Sequence, residues 1–309
     1  MDVKIQALID NIEKVIVGKR TPIVQTVAAL LTGGHVLLED VPGVGKTQLA
    51  AALARSVNGS FSRVQMTPDI MPSDITGFSM LNRETGEFEY RKGAAFCNFL
   101  LADEINRASP KAQSSLLEVM EERQVSIDGA TYALSAPFMV IATQNPVETY
   151  GTYHLPEAQM DRFAMKISMG YPTASEESEI LDRNENENPI TRISAVLSTD
   201  DIIALQEQVK KVRASQNVKN YIIDIANATR SDEGIKLGVS PRGSIALYKS
   251  AKAWAFMDGR DFITPQDVKD CCVCTLAHRI MLSPKGKSMY ETQENAFVQI
   301  LERVPVPTE

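Results

Sequence analysis

The stretch Asp40-Val41-Pro42-Gly43-Val44-Gly45-Lys46-Thr47 lies between an apolar run ending near Glu39 and a helical run beginning near Lys46. It matches the pattern GxxxxGK[ST], except that Asp40 stands where the first glycine belongs. Glycines let backbone N–H groups converge on phosphate oxygens, and the N-terminus of the following helix favours an anion. In that arrangement Lys46 reaches the β- and γ-phosphates of a nucleoside triphosphate and Thr47 holds magnesium. Pro42, Gly43, Val44, Gly45 and Gln48 complete the expected cradle. The competing reading is a chance glycine turn with Lys46 as a surface charge. A strand before the loop and a helix after it argue against that.

Outward from the loop, five apolar or β-branched segments recur: His35 to Glu39, Phe61 to Met66, Phe99 to Ala102, Phe138 to Thr143 and Met165 to Met169. Helical stretches such as Thr47 to Val57 and Pro110 to Glu121 fall between them. This alternation predicts an α/β fold: a central parallel sheet with helices on both faces. Two β-hairpins interrupt it. One has Ile75 to Leu81 and Glu87 to Tyr90 about Arg83-Glu84-Thr85-Gly86, and the other has Gln124 to Ile127 and Thr131 to Leu134 about Asp128-Gly129. After Gly170-Tyr171-Pro172 the strand signal fades and amphipathic helices dominate. The expected domains are therefore an α/β nucleotide-binding core over 1–172 and an all-α lid over 173–309.

The third strand ends in Asp103-Glu104, at the carboxyl edge where open α/β sheets bind ligands. Asp103 is placed to complete a magnesium site with Thr47, and Glu104 to orient or deprotonate an attacking water. An acidic pair after a strand is otherwise a common helix cap. The fourth strand runs into Gln144-Asn145-Pro146, which brings the Asn145 amide to the same edge, although Asn before Pro also starts many turns.

Composition narrows the function classes. The 309 residues are 44% hydrophobic and 23% charged with a formal net charge of −7, which argues against a nucleic-acid surface as the main contact. The N-terminal residues mix charged and apolar positions, unlike a signal peptide, and no apolar run is long enough to span a bilayer. A cytoplasmic protein is expected. Cys271, Cys272 and Cys274 crowd together without the second cluster or paired histidines of a zinc site, so buried thiols on a lid helix are expected. His35, His154 and His278 are too scattered for a metal site or triad. The run Asn184-Glu185-Asn186-Glu187-Asn188-Pro189 predicts a solvated loop, and Val304-Pro305-Val306-Pro307 a frayed end.

Four strings make a family resemblance plain: Val36-Leu37-Leu38-Glu39-Asp40-Val41-Pro42-Gly43, Leu101-Ala102-Asp103-Glu104-Ile105-Asn106-Arg107-Ala108, Ala142-Thr143-Gln144-Asn145-Pro146, and Leu155-Pro156-Glu157-Ala158-Gln159-Met160-Asp161-Arg162-Phe163. Across nearly its whole length the chain resembles the MoxR family of AAA+ ATPases. The resemblance implies a phosphate-loop AAA+ core with a helical lid, ATP rather than GTP, and Mg2+. It makes Asp103 and Glu104 the Walker B pair, Asn145 sensor 1, Arg162 an arginine finger offered to a neighbouring subunit, and Arg242 sensor 2 on the lid. Val17-Gly18 resembles the segment that lines the adenine, where a glycine-ended helix is the structural alternative. The hairpins resemble the helix-2 insert and the pre-sensor-1 hairpin.

The family further implies a homo-oligomer, a hexameric ring, that remodels or matures client proteins in chaperone fashion. A partner bearing a von Willebrand factor A domain, and metal-cofactor insertion, belong to the same expectation. Two alternatives stand beside it: a nucleic-acid motor or loader, and a nucleotide-dependent scaffold with little hydrolysis. The acidic balance disfavours the first, and intact Lys46, Asp103, Glu104 and Arg162 disfavour the second.

Overall fold

In the computed structural model, which describes residues 2–146, 151–185 and 188–307, five strands build the central sheet. They are β1 (Val36–Glu39), β2 (Phe61–Gln65), β3 (Phe99–Asp103), β4 (Met139–Gln144) and β5 (Met165–Ile167). All pair in parallel, in the order β2-β3-β4-β1-β5. The near-continuous apolar runs of β1, β3 and β4 suit strands covered on both faces. Alternation divides the side chains between two cores. Leu38, Phe99, Leu101 and Ile141 pack with Ile9, Val27 and Leu53 of the helices Val3–Glu13, Arg20–Leu31 and Lys46–Ser56. Leu37, Leu100, Val140 and Ala142 face Leu116 and Met120 of the helix Pro110–Glu122. At roughly 1.5 to 3 kcal/mol per fully buried large apolar side chain, these layers fix the sheet, and an ionised residue at Leu101 or Ile141 would break it.

The register decides what the sheet presents. Gln65 pairs with Asp103, Ala102 with Ala142 and Glu39 with Gln144. The carboxyl ends of four strands therefore lie along one edge.

Both hairpins form, as Gly77–Leu81 with Phe88–Lys92 and Gln124–Ile127 with Ala130–Ala133. Asp128 and Gly129 both take positive φ (51° and 80°), as a two-residue hairpin turn requires. The first hairpin starts later than its sequence suggests. Ile75 and Thr76 belong to the short helix Pro72–Thr76, which begins with a proline and whose Asp74 carboxylate accepts from the Met71 N–H at 2.8 Å. Gly77 then turns at φ +94°, and a Cβ there would sit 2.2 Å from the Arg91 carbonyl oxygen.

Beyond β5 the chain is a helical lid region. Helices Ala174–Asn184, Thr199–Lys211, Gln216–Ser231, Pro241–Met257, Pro265–Leu276, Pro284–Tyr290 and Gln293–Arg303 each start behind a Ser or Thr whose hydroxyl accepts a helix N–H. One feature departs from the all-helical expectation: Ile235–Leu237 pairs antiparallel with Met281–Leu282. Strands of three and two residues are too short to show a period-two pattern. The acidic, asparagine-rich run is divided, since Asn184 ends a helix and Pro189 starts a 3-10 turn, while Asn186 and Glu187 lie outside the described residues. Of the tail, Val304 is buried and its N–H reaches the Ile300 carbonyl at 3.0 Å, while Pro305 and Val306 are exposed.

All four cysteines are free and buried, three of them on the lid helix Pro265–Leu276, where burial pushes the Cys274 thiol up to about 12. His35 and His278 are buried packing residues and His154 is exposed. Among the described residues no helix is long and apolar enough to cross a membrane.

Candidate functional site

Between β1 and the helix Lys46–Ser56, Gly43 and Gly45 both adopt positive φ (86° and 93°), and Gly45 forms the N-cap of that helix. Nothing stands within 4 Å of where a Gly43 Cβ would be. Strain, not crowding, is what a side chain would bring there. The loop opens into a cleft of about 360 Å³ lined by Gly43, Lys46, Thr47, Asp103, Glu104 and Asn145, together with Pro42, Gly45, Gln48, Arg63 and Thr143. Residues far apart in the chain thus meet at the sheet edge.

Each polar group in the cleft has a local cause for its place. The Lys46 ammonium donates to the Asp40 main-chain oxygen at 2.6 Å. Burial lowers its proton affinity, and the carboxylates of Asp40, Asp103 and Glu104 oppose that effect. The Asp103 carboxylate accepts from the Thr143 hydroxyl at 2.7 Å and from Arg63 at 2.6 Å. Glu104 leaves the strand in the left-handed region (φ 57°, ψ 54°), a conformation that few non-glycine residues adopt. Its N–H donates to Thr143 Oγ1 at 2.8 Å, while its carboxylate accepts from Gln65 at 2.7 Å and from Arg107 at 3.0 Å.

A second cavity of about 190 Å³ adjoins the loop and shares Gly43, Gly45 and Gln48 with the first. Ile16, Val17, Val44 and Pro172 from the core and Ile180 from the start of the lid give it a largely apolar lining. Val17 therefore faces this cavity. Gly18 does not, and faces the neighbouring cleft with Lys19 and Asp40. Its φ of +67° and the Glu176 side chain packed where a Cβ would go explain the glycine.

Arg162 and Arg242 do not line the cleft of their own chain. Arg162 donates to the Leu117 carbonyl at 2.7 Å, and its Nε lies 3.5 Å from Glu121. Arg242 donates to the same Glu121 carboxylate and holds it below the usual glutamate range. The two arginines are brought together by the lid. Ser240 donates to Asp161 at 2.9 Å, Arg279 donates to the main-chain oxygens of Asp161 and Phe163 at 2.7 and 2.6 Å, and His278 lies 3.1 Å from the Phe163 oxygen. The segment carrying Arg162 is thus clamped from both sides.

Sequence reading missed Arg63, Gln65, Thr143 and Glu121. Arg63 and Gln65 do alternate about Val64 in β2, which puts both on one face. That β2 neighbours β3 is visible only in the sheet order.

The donor set suits a magnesium ion shared with phosphates. Among the described residues no group of three or more His, Cys, Asp or Glu is arranged to hold a metal by itself. Mg2+ typically takes one or two protein ligands and fills its sphere with phosphate and water oxygens, which the Thr47 and Asp103 pair allows.

Comparison with known proteins agrees with this geometry. Residues 35–165 match the ATPase family associated with various cellular activities (AAA), and residues 227–300 match the AAA lid domain. Protein YeaC of Bacillus subtilis is 50% identical over 97% of this chain and 94% of its own. Chaperone MoxR1 of Mycobacterium tuberculosis is 40% identical over 98% of this chain and 82% of its own. A crystal structure of a Cytophaga hutchinsonii protein superposes with a TM-score of 0.91 at 40% identity, covering 99% of this chain and 95% of the other. The chain belongs to the MoxR family of AAA+ ATPases.

Proposed function

We propose that this protein hydrolyses ATP in a homo-oligomeric, hexameric ring in the cytoplasm and uses the energy to remodel or mature client proteins. The observation that carries this reading is the division of the machinery. Lys46, Thr47, Asp103, Glu104 and Asn145 converge on one cleft, whereas Arg162 and Arg242 stand together on another part of the surface. A site so divided is completed by a neighbouring copy.

In this mechanism the core (1–172) and the lid (173–309) embrace the nucleotide, with the base in the cavity beside Val17 and the phosphates in the cleft. Backbone N–H groups of the glycine loop and the Lys46 ammonium hold the β- and γ-phosphates. Thr47 and Asp103 would hold Mg2+, which would supply neutralisation of charge on the phosphate oxygens. Glu104 and Asn145 orient a water whose oxygen attacks the γ-phosphorus in line. The bond to the bridging oxygen of ADP breaks as the water's proton passes towards Glu104. The neighbour's Arg162 offsets the charge that develops, so turnover depends on assembly. Loss of the γ-phosphate changes the preferred angles between core, lid and neighbour.

A client surface is supported by the first hairpin, which leaves Phe78, Met80, Leu81 and Phe88 substantially exposed. Leu81 and Phe88 are direct cross-strand partners. The hairpins are tied to one another by Tyr90 and Tyr132, stacked at 4.2 Å between ring centroids. A protein with a von Willebrand factor A domain, or an apoprotein awaiting its metal cofactor, fits this role. The test is capture with Glu104→Gln held in ATP. A retained partner protein supports the reading, and DNA-stimulated turnover of the parent with no protein partner retained by the variant refutes it.

A further inference from the structure

Asp40 departs from the phosphate-loop pattern, and its surroundings give that departure a use. Its carboxylate is buried, yet it carries three donors: the Ser168 hydroxyl at 2.9 Å, the Gly170 N–H at 3.2 Å and the Met169 N–H. All three lie where the chain leaves β5 for the lid. Gly170 turns there at φ +62°, two residues before Pro172, and the first lid helix starts at Ala174. The main-chain oxygen of the same Asp40 accepts from Lys46, and its N–H donates to the Gln144 carbonyl at 3.2 Å. One residue therefore joins the loop lysine, the end of β4 and the hinge. A glycine at position 40 would keep the main-chain contacts and lose every contact to the hinge.

We propose that Asp40 is a positioning residue that couples occupancy of the phosphate loop to the core–lid hinge at Ser168-Met169-Gly170. The coupling rests on the nucleotide reading above. In the structure the Lys46 ammonium donates to a neutral carbonyl, that of Asp40. A triphosphate offers charged oxygens, which make shorter and stronger hydrogen bonds to an ammonium. Lys46 then leaves Asp40, the backbone at position 40 relaxes, and the carboxylate carries the hinge amides with it. Coupling of this kind is reciprocal, so the hinge angle also sets how readily Lys46 is released.

The experiment measures the distance between probes on Lys111→Cys in the core and Lys219→Cys in the lid, both exposed positions. The native cysteines are buried and do not compete for label. Full-length protein carrying Glu104→Gln is examined with and without ATP and Mg2+, and ATP binding is measured separately. Asp40→Gly is expected to bind ATP but to lose more than about half of the ATP-dependent distance change, with Asp40→Asn intermediate. With Glu104 restored, Asp40→Gly should lower kcat about tenfold while KM stays within about threefold, the split that separates positioning from general loss of the site. An Asp40→Gly protein that binds ATP and moves its lid as the parent does overturns the coupling. Failure of the parent itself to bind ATP would instead overturn the nucleotide reading beneath it. Should Asp40→Gly not fold, Ser168→Ala removes one donor without touching the loop. A reduced distance change in that variant supports the coupling, and an unreduced one overturns it.

Discussion

The Glu121 carboxylate accepts a hydrogen bond from Arg242 through one oxygen, while its other oxygen lies 3.5 Å from Arg162 Nε. One acid therefore holds both Arg162, which the ring mechanism assigns to a neighbour's nucleotide, and Arg242, the lid arginine read as sensor 2. All three side chains are about one-third exposed or more, so each contact is worth about 0.2 to 1 kcal/mol. Glu121→Gln should loosen the hold on both arginines and raise assembled turnover up to about fivefold, with ATP binding unchanged. A steady-state ATPase assay across protein concentration checks this. A fall in turnover would show that Glu121 positions the arginines productively.

Glu104→Gln should retain ATP binding and lose about 10² to 10⁴ in kcat, since a general base contributes on that order. Gln65→Ala leaves that carboxylate in place but removes the donor 2.7 Å from it. Hydrogen bonds to charged groups are worth about 1.5 to 3 kcal/mol, so a loss of at least about tenfold in kcat is expected. Equal kcat in Gln65→Ala and the parent would reduce Gln65 to a passive neighbour.

Arg162→Ala should bind ATP normally yet lose about 10³- to 10⁵-fold in assembly-dependent hydrolysis. Mixing it with Glu104→Gln subunits tests delivery between subunits. In mixed rings, an intact Glu104 site can receive Arg162 from the Glu104→Gln neighbour, and part of the activity should return. Activity no greater than the sum of the separate mutants would place the finger elsewhere.

Stability should fall on mild acidification. His35 is fully buried and neutral: its Nδ1 accepts from the Val140 N–H at 2.9 Å and its Nε2 faces the Met120 oxygen at 3.0 Å. Burial lowers its pKa from 6.5 to about 4. Between those values the unfolded chain takes up the proton and the native chain does not. Stability is therefore complete above pH 6.5 and falls as the pH drops towards 4, with about 2 kcal/mol lost at pH 5 from this residue. His278, whose affinity for a proton burial also lowers, acts in the same direction. Urea unfolding at pH 7 and pH 5, for the parent and His35→Gln, checks the sign. The variant should lose less on acidification than the parent.

Much of the core was legible because its signals are local. A strand, two glycines, a lysine and a threonine within a dozen residues announce a phosphate loop. The predicted strands differ from the observed ones mainly by a residue or two at their ends. The two-residue Asp128-Gly129 turn likewise carries its own geometry. Where the reading slipped, at Ile75 and at the Ile235–Leu237 pair, the deciding forces were a local cap and strands too short to show a period.

The sequence alone determined the glycine loop, the apolar strands and the order in which Asp103, Glu104, Asn145 and Arg162 occur, because propensity and spacing act between near neighbours. Tertiary structure alone decided that Gln65 meets Glu104, that Asp40 grips the hinge some 130 residues later, and that Arg162 and Arg242 share Glu121. Those contacts depend on strand order and on how the lid docks, which buried surface sets across the whole molecule. No local pattern encodes them.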